Sequence, residues 1–185
     1  MNGVLNFRKL KYSLPYLGLP VVGGAFIALR GGHMDGIVLL WGAMLLVFGY
    51  HTAVYDIKTQ RIPNKTVLAM LAAWVITIIP LLFFKKPLAV ELIIDSALGF
   101  TAGGGLFLLV YIISRKGLGG GDVKFIAAAG LYLGIHGVIP TIFCGTVLAA
   151  LTGLTLMLLK KIGRKDTMPL SPFLYIGILV TVFLM

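Results

Sequence analysis

Acidic residues are scarce in this sequence: there are six in 185, against 16 lysines and arginines. Charged residues of both signs make up only 12%, while 59% are hydrophobic and the mean hydropathy is +1.02. That balance excludes a soluble domain, because a chain this short has too little interior to hide so much apolar surface. A single cysteine, Cys144, excludes an intramolecular disulfide and any cysteine-based zinc site. The three histidines, His33, His51 and His136, are isolated, and no His-Glu-x-x-His helix is present to hold a catalytic zinc. Ser13, Ser96, Ser114 and Ser171 lack a recognisable His or Lys partner for nucleophilic catalysis. No Gly-x-x-x-x-Gly-Lys-Ser/Thr loop exists to cradle a phosphate.

What remains is a series of apolar runs separated by short basic clusters. A helix needs about 20 apolar residues to cross the hydrocarbon core. On that basis the sequence predicts a single all-α domain over residues 1–185, a polytopic membrane bundle of about seven helices, with six as the alternative. The spans run from Leu14 to Leu29, Gly36 to Tyr55, Thr66 to Phe84, Leu92 to Ile113, Val123 to Gly134, Gly137 to Leu159 and Met168 to Met185. The first and fifth are short. The first carries Pro15 and Pro20 and no clear cleavage site, so it reads as a retained span.

Lysine and arginine accumulate in cytoplasmic loops. Seven spans with the N-terminus inside place Arg8, Lys9, Lys11, Lys58, Arg61, Lys65, Arg115, Lys116, Lys124, Lys160, Lys161, Arg164 and Lys165 on one side. Arg30, Lys85 and Lys86 fall on the other. Merging the fifth and sixth spans would send the last four of the first group across and erase the asymmetry. Gly134-Ile135-His136-Gly137 supplies the turn that two separate spans need. The net charge of +10 therefore reads as topology and an inner-membrane location rather than as a nucleic-acid surface, and the partner it implies is the lipid bilayer. Gly99, Gly103, Gly104 and Gly105, with Ala127 to Gly130, read as small faces that let helices approach closely. Trp41 and Trp74 read as packing residues within spans.

Four of the acids, Asp35, Glu91, Asp95 and Asp166, lie in loops or close to span ends. Asp56 and Asp122 stand at the cytoplasmic ends of membrane segments in unusual settings, Tyr55-Asp56-Ile57-Lys58-Thr59-Gln60-Arg61-Ile62-Pro63-Asn64 and Gly117-Leu118-Gly119-Gly120-Gly121-Asp122-Val123-Lys124. Two carboxylates close together in a low-dielectric site share a proton, which makes one a base and the other an acid. Either acid alone is equally at home as a solvated interfacial residue paired with Lys58 or Lys124. Gly119 to Gly121 add room for unusual backbone angles or for close approach of an extended peptide, and they also fit a flexible loop. Ile62-Pro63-Asn64 reads as a turn into the third helix, with Asn64 as its cap.

Taken jointly, Asp56 with Arg61-Ile62-Pro63-Asn64, and Gly119-x-Gly121-Asp122-x-Lys124, separated by 66 residues, resemble the motif pair of the type IV prepilin peptidases. These belong to the wider Gly-x-Gly-Asp intramembrane aspartyl proteases. Pro169-Leu170-Ser171-Pro172-Phe173-Leu174 resembles the family's proline-rich last-helix motif, with Leu170-Ser171 where the family usually has Phe-Gly. The resemblance implies a metal-free, cofactor-free aspartyl endopeptidase with Asp56 and Asp122 catalytic. Gly119, Gly120, Gly121, Lys124, Arg61, Pro63 and Asn64 would shape the site or bind substrate. The implied substrates are prepilin-like membrane proteins, whose short basic leader is cleaved at the cytoplasmic face. Many relatives also methylate the new N-terminus through a region with paired Cys-x-x-Cys. The loop from Arg30 to Asp35 and the lone Cys144 leave no place for one, which predicts a peptidase-only form similar to those serving Flp or tight-adherence pili.

Two other readings use the same acids. A small ion- or proton-translocating protein would line its path with Asp56 and Asp122, but it has no use for the Ile-Pro-Asn and Gly-x-Gly-Asp contexts. A presenilin- or signal-peptide-peptidase-like protease matches Tyr55-Asp56 and Gly119 to Asp122 but lacks Ile-Pro-Asn. His51, five residues before Asp56, is assigned no role.

Overall fold

The computed structural model describes residues 18–32, 35–114, 117–163 and 167–184. The start of the first predicted span, Ser13, the basic residues Arg8, Lys9, Lys11, Arg115, Lys116, Arg164 and Lys165, and His33, Asp166 and Met185 lie outside them. Six helices follow in order: α1 (Gly18–Arg30), α2 (Gly36–Thr59), α3 (Asn64–Phe84), α4 (Lys86–Ile113), α5 (Gly120–Leu158) and α6 (Ser171–Leu184). There is no strand among the described residues. Helices α2, α3, α4 and α5 are each long and apolar enough to cross a membrane, and α6 is a shorter apolar helix. Leu68, Ile76, Phe83, Ile113, Phe143 and Leu158 all point outward and exposed. That surface belongs against lipid, where only backbones that satisfy their own hydrogen bonds can lie.

Helix α5 is two helices in one. Gly134 has φ 62 and ψ −174, a conformation essentially open only to glycine. A methyl group on Gly103 would sit 2.8 Å from Val138 Cγ2 and 3.2 Å from the carbonyl oxygen of Ile126. A straight helix would hold residues 126 and 138 about 18 Å apart, so the chain folds back at Gly134. Counting the two limbs, residues 120–133 and 135–158, the described residues hold seven helical segments. The turn is tighter than the four-residue interruption read from the sequence: the second limb begins at Ile135.

The first limb covers only about 21 Å at 1.5 Å per residue, yet it is the centre of the molecule. Every residue from Phe125 to Gly134 is buried. Its Ala127-Ala128-Ala129-Gly130 stretch makes this possible, because small side chains admit neighbouring backbones. Gly99 and Gly130 meet so closely that a methyl on either would strike the other's carbonyl oxygen, and Gly104 faces Ala127. Gly105 faces open space and takes no part. Trp41, Leu45, Met70, Phe107, Leu174 and Ile178 belong to the same buried cluster as the residues of this limb. The Trp41 indole donates to Thr77 at 2.9 Å, and that of Trp74 donates to Ser96 at 3.2 Å, so both tryptophans pack with their polar edges satisfied.

Helix α4 begins at Lys86, six residues before the predicted Leu92, with Pro87 in its first turn, where a missing N–H costs nothing. Asp95 therefore lies inside a helix and not near a span end. Its Oδ1 accepts a hydrogen bond from the backbone N–H of Ile135 at 3.0 Å, which caps the second limb of α5 across the fold. Pro80 and Pro140 also sit inside helices.

Candidate active site

Helix α2 runs four residues past its predicted end, so Asp56 belongs to its last turn. Gln60 stops the helix by turning into the left-handed region (φ 52, ψ 36), and its N–H returns to the carbonyl of Asp56. The Gln60 side-chain amide donates to the Thr167 carbonyl at 3.2 Å, and the Thr167 hydroxyl donates back to Gln60 Oε1 at 3.3 Å. This pair ties the loop after α2 to the loop before α6.

That tie sets the entry of α6 beside Asp56. The first N–H groups of a helix have no partner within it. Pro169 and Pro172 have no N–H to offer, and the N–H of Ser171 between them donates to Asp56 Oδ2 at 3.1 Å. Asp56 is only 5% exposed. From the other direction, Gly119 precedes α5 and accepts from the Asp122 N–H at 3.1 Å, which sets Asp122 in the first turn. The Ser171 hydroxyl donates to Asp122 Oδ1 at 3.4 Å. Two acids 66 residues apart are thus separated by no more than one serine and its two hydrogen bonds.

The two sequence motifs meet at this same end. Lys124 Nζ donates to Asn64 Oδ1 at 3.1 Å, and a methyl on Gly121 would lie 3.0 Å from Ile62 Cβ. Asn64 is not the cap of α3 as expected. It is the helix's first residue and Pro63 is the cap, and the Asn64 side chain is engaged by Lys124. Gly119 and Gly121 act through close approach, the former facing the Asp122 carboxylate at 2.7 Å from its virtual methyl. Positive φ plays no part, since Gly134 is the one positive-φ glycine among the described residues. Gly120 has only Tyr111 nearby, at 4.0 Å, and Arg61 is an exposed residue of the loop whose carbonyl accepts from Thr59 at 3.2 Å. His51 contacts the Thr66 hydroxyl at 3.5 Å and stacks on Tyr55, at one remove from the acids. No three His, Cys, Asp or Glu side chains cluster to hold a metal among the described residues.

Sequence reasoning passed over Ser171, finding no nucleophile setting for it. The signal was present in the proline pair around it, which leaves only the N–H groups of Leu170 and Ser171 between them to face a carboxylate. What the local sequence does not contain is the identity of that carboxylate, 115 residues away.

An all-helical bundle with apolar spans, and two acids drawn together at one end, defines a class of membrane proteins with a polar site at the mouth of the bundle. Within that class the chain belongs to the type IV leader peptidase family, whose model matches residues 39–154, a stretch that contains both acids. A prepilin leader peptidase/N-methyltransferase of Bacillus subtilis (strain 168) is 30% identical over 132 residues, covering 68% of this chain and 48% of that protein. The protein of that description from Pectobacterium carotovorum subsp. carotovorum is 34% identical over 163 residues, covering 83% and 54%. That from Escherichia coli (strain K12) is 26% identical over 187 residues, covering 96% and 78%. The chain thus spans about half the length of the first two. No solved structure matches it significantly.

Proposed function

We propose that this chain is a membrane-embedded aspartyl endopeptidase that removes the short basic leader from type IV prepilin-like precursors, with Asp56 and Asp122 as its catalytic pair. The observation that carries this reading is the convergence of the two acids on Ser171. A solvated interfacial acid has no need of a partner from a distant helix, and two independent ones would not share a serine. One carboxylate takes a proton from water, whose oxygen attacks the scissile carbonyl carbon. The other gives its proton to the carbonyl oxygen. Collapse of the tetrahedral species breaks the C–N bond as the leaving nitrogen is protonated, and no covalent enzyme intermediate forms.

The site faces the cytoplasm in this proposal. Lys58, Arg61, Lys65, Lys124, Lys160 and Lys161 gather at the end of the bundle that holds the acids, against Arg30, Lys85 and Lys86 at the other, and basic residues favour the inside. Of the two activities in the relatives' names, the peptidase is the one these residues support. Only Cys144 is available, and five residues join α1 to α2, leaving no room there for a cysteine-paired insert. Flp or tight-adherence pilins are the substrate group that suits a form without it. The test is mass-spectrometric conversion of such a precursor by purified protein, with Asp56→Asn and Asp122→Asn alongside. Ion flux in vesicles without cleavage would favour the translocation reading instead.

A further inference from the structure

The two hydrogen bonds of Ser171 are chemically unlike, and the difference bears on which acid does what. Its backbone N–H can only donate, so the Asp56 oxygen facing it, Oδ2 at 3.1 Å, must present a lone pair. A proton on Asp56 would therefore sit on Oδ1, and the N–H bond to Oδ2 would be weaker than the one made to a carboxylate. The N–H also belongs to the first turn of the 14-residue helix α6, whose N-terminal end favours a negative group. The hydroxyl is different, because it rotates. It donates to an ionised Asp122 and accepts from a protonated one, so Asp122 can gain or lose a proton without losing its partner.

We infer that Ser171 is a positioning residue of the catalytic pair, which through its N–H holds Asp56 as the base that activates water and through its hydroxyl accommodates Asp122 as the acid. This rests on the peptidase reading above. At 3.4 Å the hydroxyl bond is long, as such bonds commonly are before substrate tightens the site. Ser171 itself is 1% exposed. The other ionisable groups nearby are engaged elsewhere or turned outward. Lys124 is on Asn64 and His51 is on Thr66, while Lys58 and Arg61 are exposed.

The experiment compares Ser171→Ala and Ser171→Gly, which keep the N–H and remove the hydroxyl, with Ser171→Thr, which keeps both. All are assayed by prepilin conversion in detergent across pH. Loss of the hydroxyl that donates to Asp122 as it gives up its proton predicts a fall in kcat of about ten-fold for Ala and Gly, with KM little changed and the melting temperature retained. The basic limb of the pH profile, which reports the acid, moves more than the acidic limb, and Thr restores both. Wild-type kcat and an unmoved profile in Ala and Gly, with Asp56→Asn and Asp122→Asn inactive, would overturn this inference alone. Activity in both Asn variants would overturn the pair and this inference with it.

Discussion

The Asp95 carboxylate, projecting from the interior of α4, caps the second limb of α5 by accepting the Ile135 N–H at 3.0 Å. Just before it, Gly134 breaks the helix so close to the same carboxylate that a methyl group there would collide with Asp95 Oδ2. The fold-back at the centre of the bundle is therefore held by one acid and permitted by one glycine. A partly buried N–H left without a partner costs about 1–3 kcal/mol.

Asp95→Ala is expected to lower stability by about 1–3 kcal/mol, read as a fall in melting temperature in detergent. Asp95→Asn retains a carbonyl oxygen that accepts from Ile135, so it should melt near the wild type and keep its peptidase turnover. Loss of turnover in a well-folded Asp95→Asn would mean that this acid does more than cap.

Glycine substitutions should separate by position. Gly134→Ala forces a strained backbone and a clash with Asp95, and Gly99→Ala drives a methyl into the carbonyl of Gly130. Each should destabilise by at least about 1–3 kcal/mol. Gly105 faces open space in the same stretch of α4. Gly105→Ala should be neutral or stabilise by up to about 1 kcal/mol through helix propensity. Equal melting temperatures for Gly99→Ala and Gly105→Ala would contradict the close crossing of α4 and α5.

For the catalytic pair, Asp56→Asn and Asp122→Asn should each lower turnover by on the order of 100-fold or more, and the double variant should be scarcely worse, because two residues acting as one unit are not additive. As solvated interfacial acids, the same substitutions would leave turnover nearly intact and change stability by roughly 0.5 kcal/mol or less. Prepilin conversion followed by mass spectrometry, with melting compared across variants, decides between the two.

Topology is open to labelling in a Cys144→Ala background. A single cysteine at Lys58, beside Asp56, should react with an impermeant thiol reagent only after the membrane is opened, and one at Lys85 should react on intact cells. Labelling of the Lys58 position from outside would place the acids on the wrong face for a cytoplasmic leader.

The sequence by itself determined the all-helical membrane class and the approximate helical segments, and its resemblance to the peptidase family singled out Asp56 and Asp122. These are set by local quantities: runs of apolar residues long enough for the bilayer, the sidedness of lysine and arginine, and short motifs around each acid. Even the short fifth span was legible, through the glycines from Gly134 to Gly137. Its place was not, since a 20-residue measure treats a short apolar segment as marginal, whereas the bundle buries every residue from Phe125 to Gly134. Tertiary structure alone decided which side chains complete one another. Asn64 looked like a cap until Lys124 engaged it, Asp95 looked like a span-end acid until Ile135 came to it, and Ser171 looked like no site residue at all. Each of those partners lies 40 to 115 residues away in the chain. A hydrogen bond depends on direction and distance in space, and those are fixed only when the helices that carry donor and acceptor have packed.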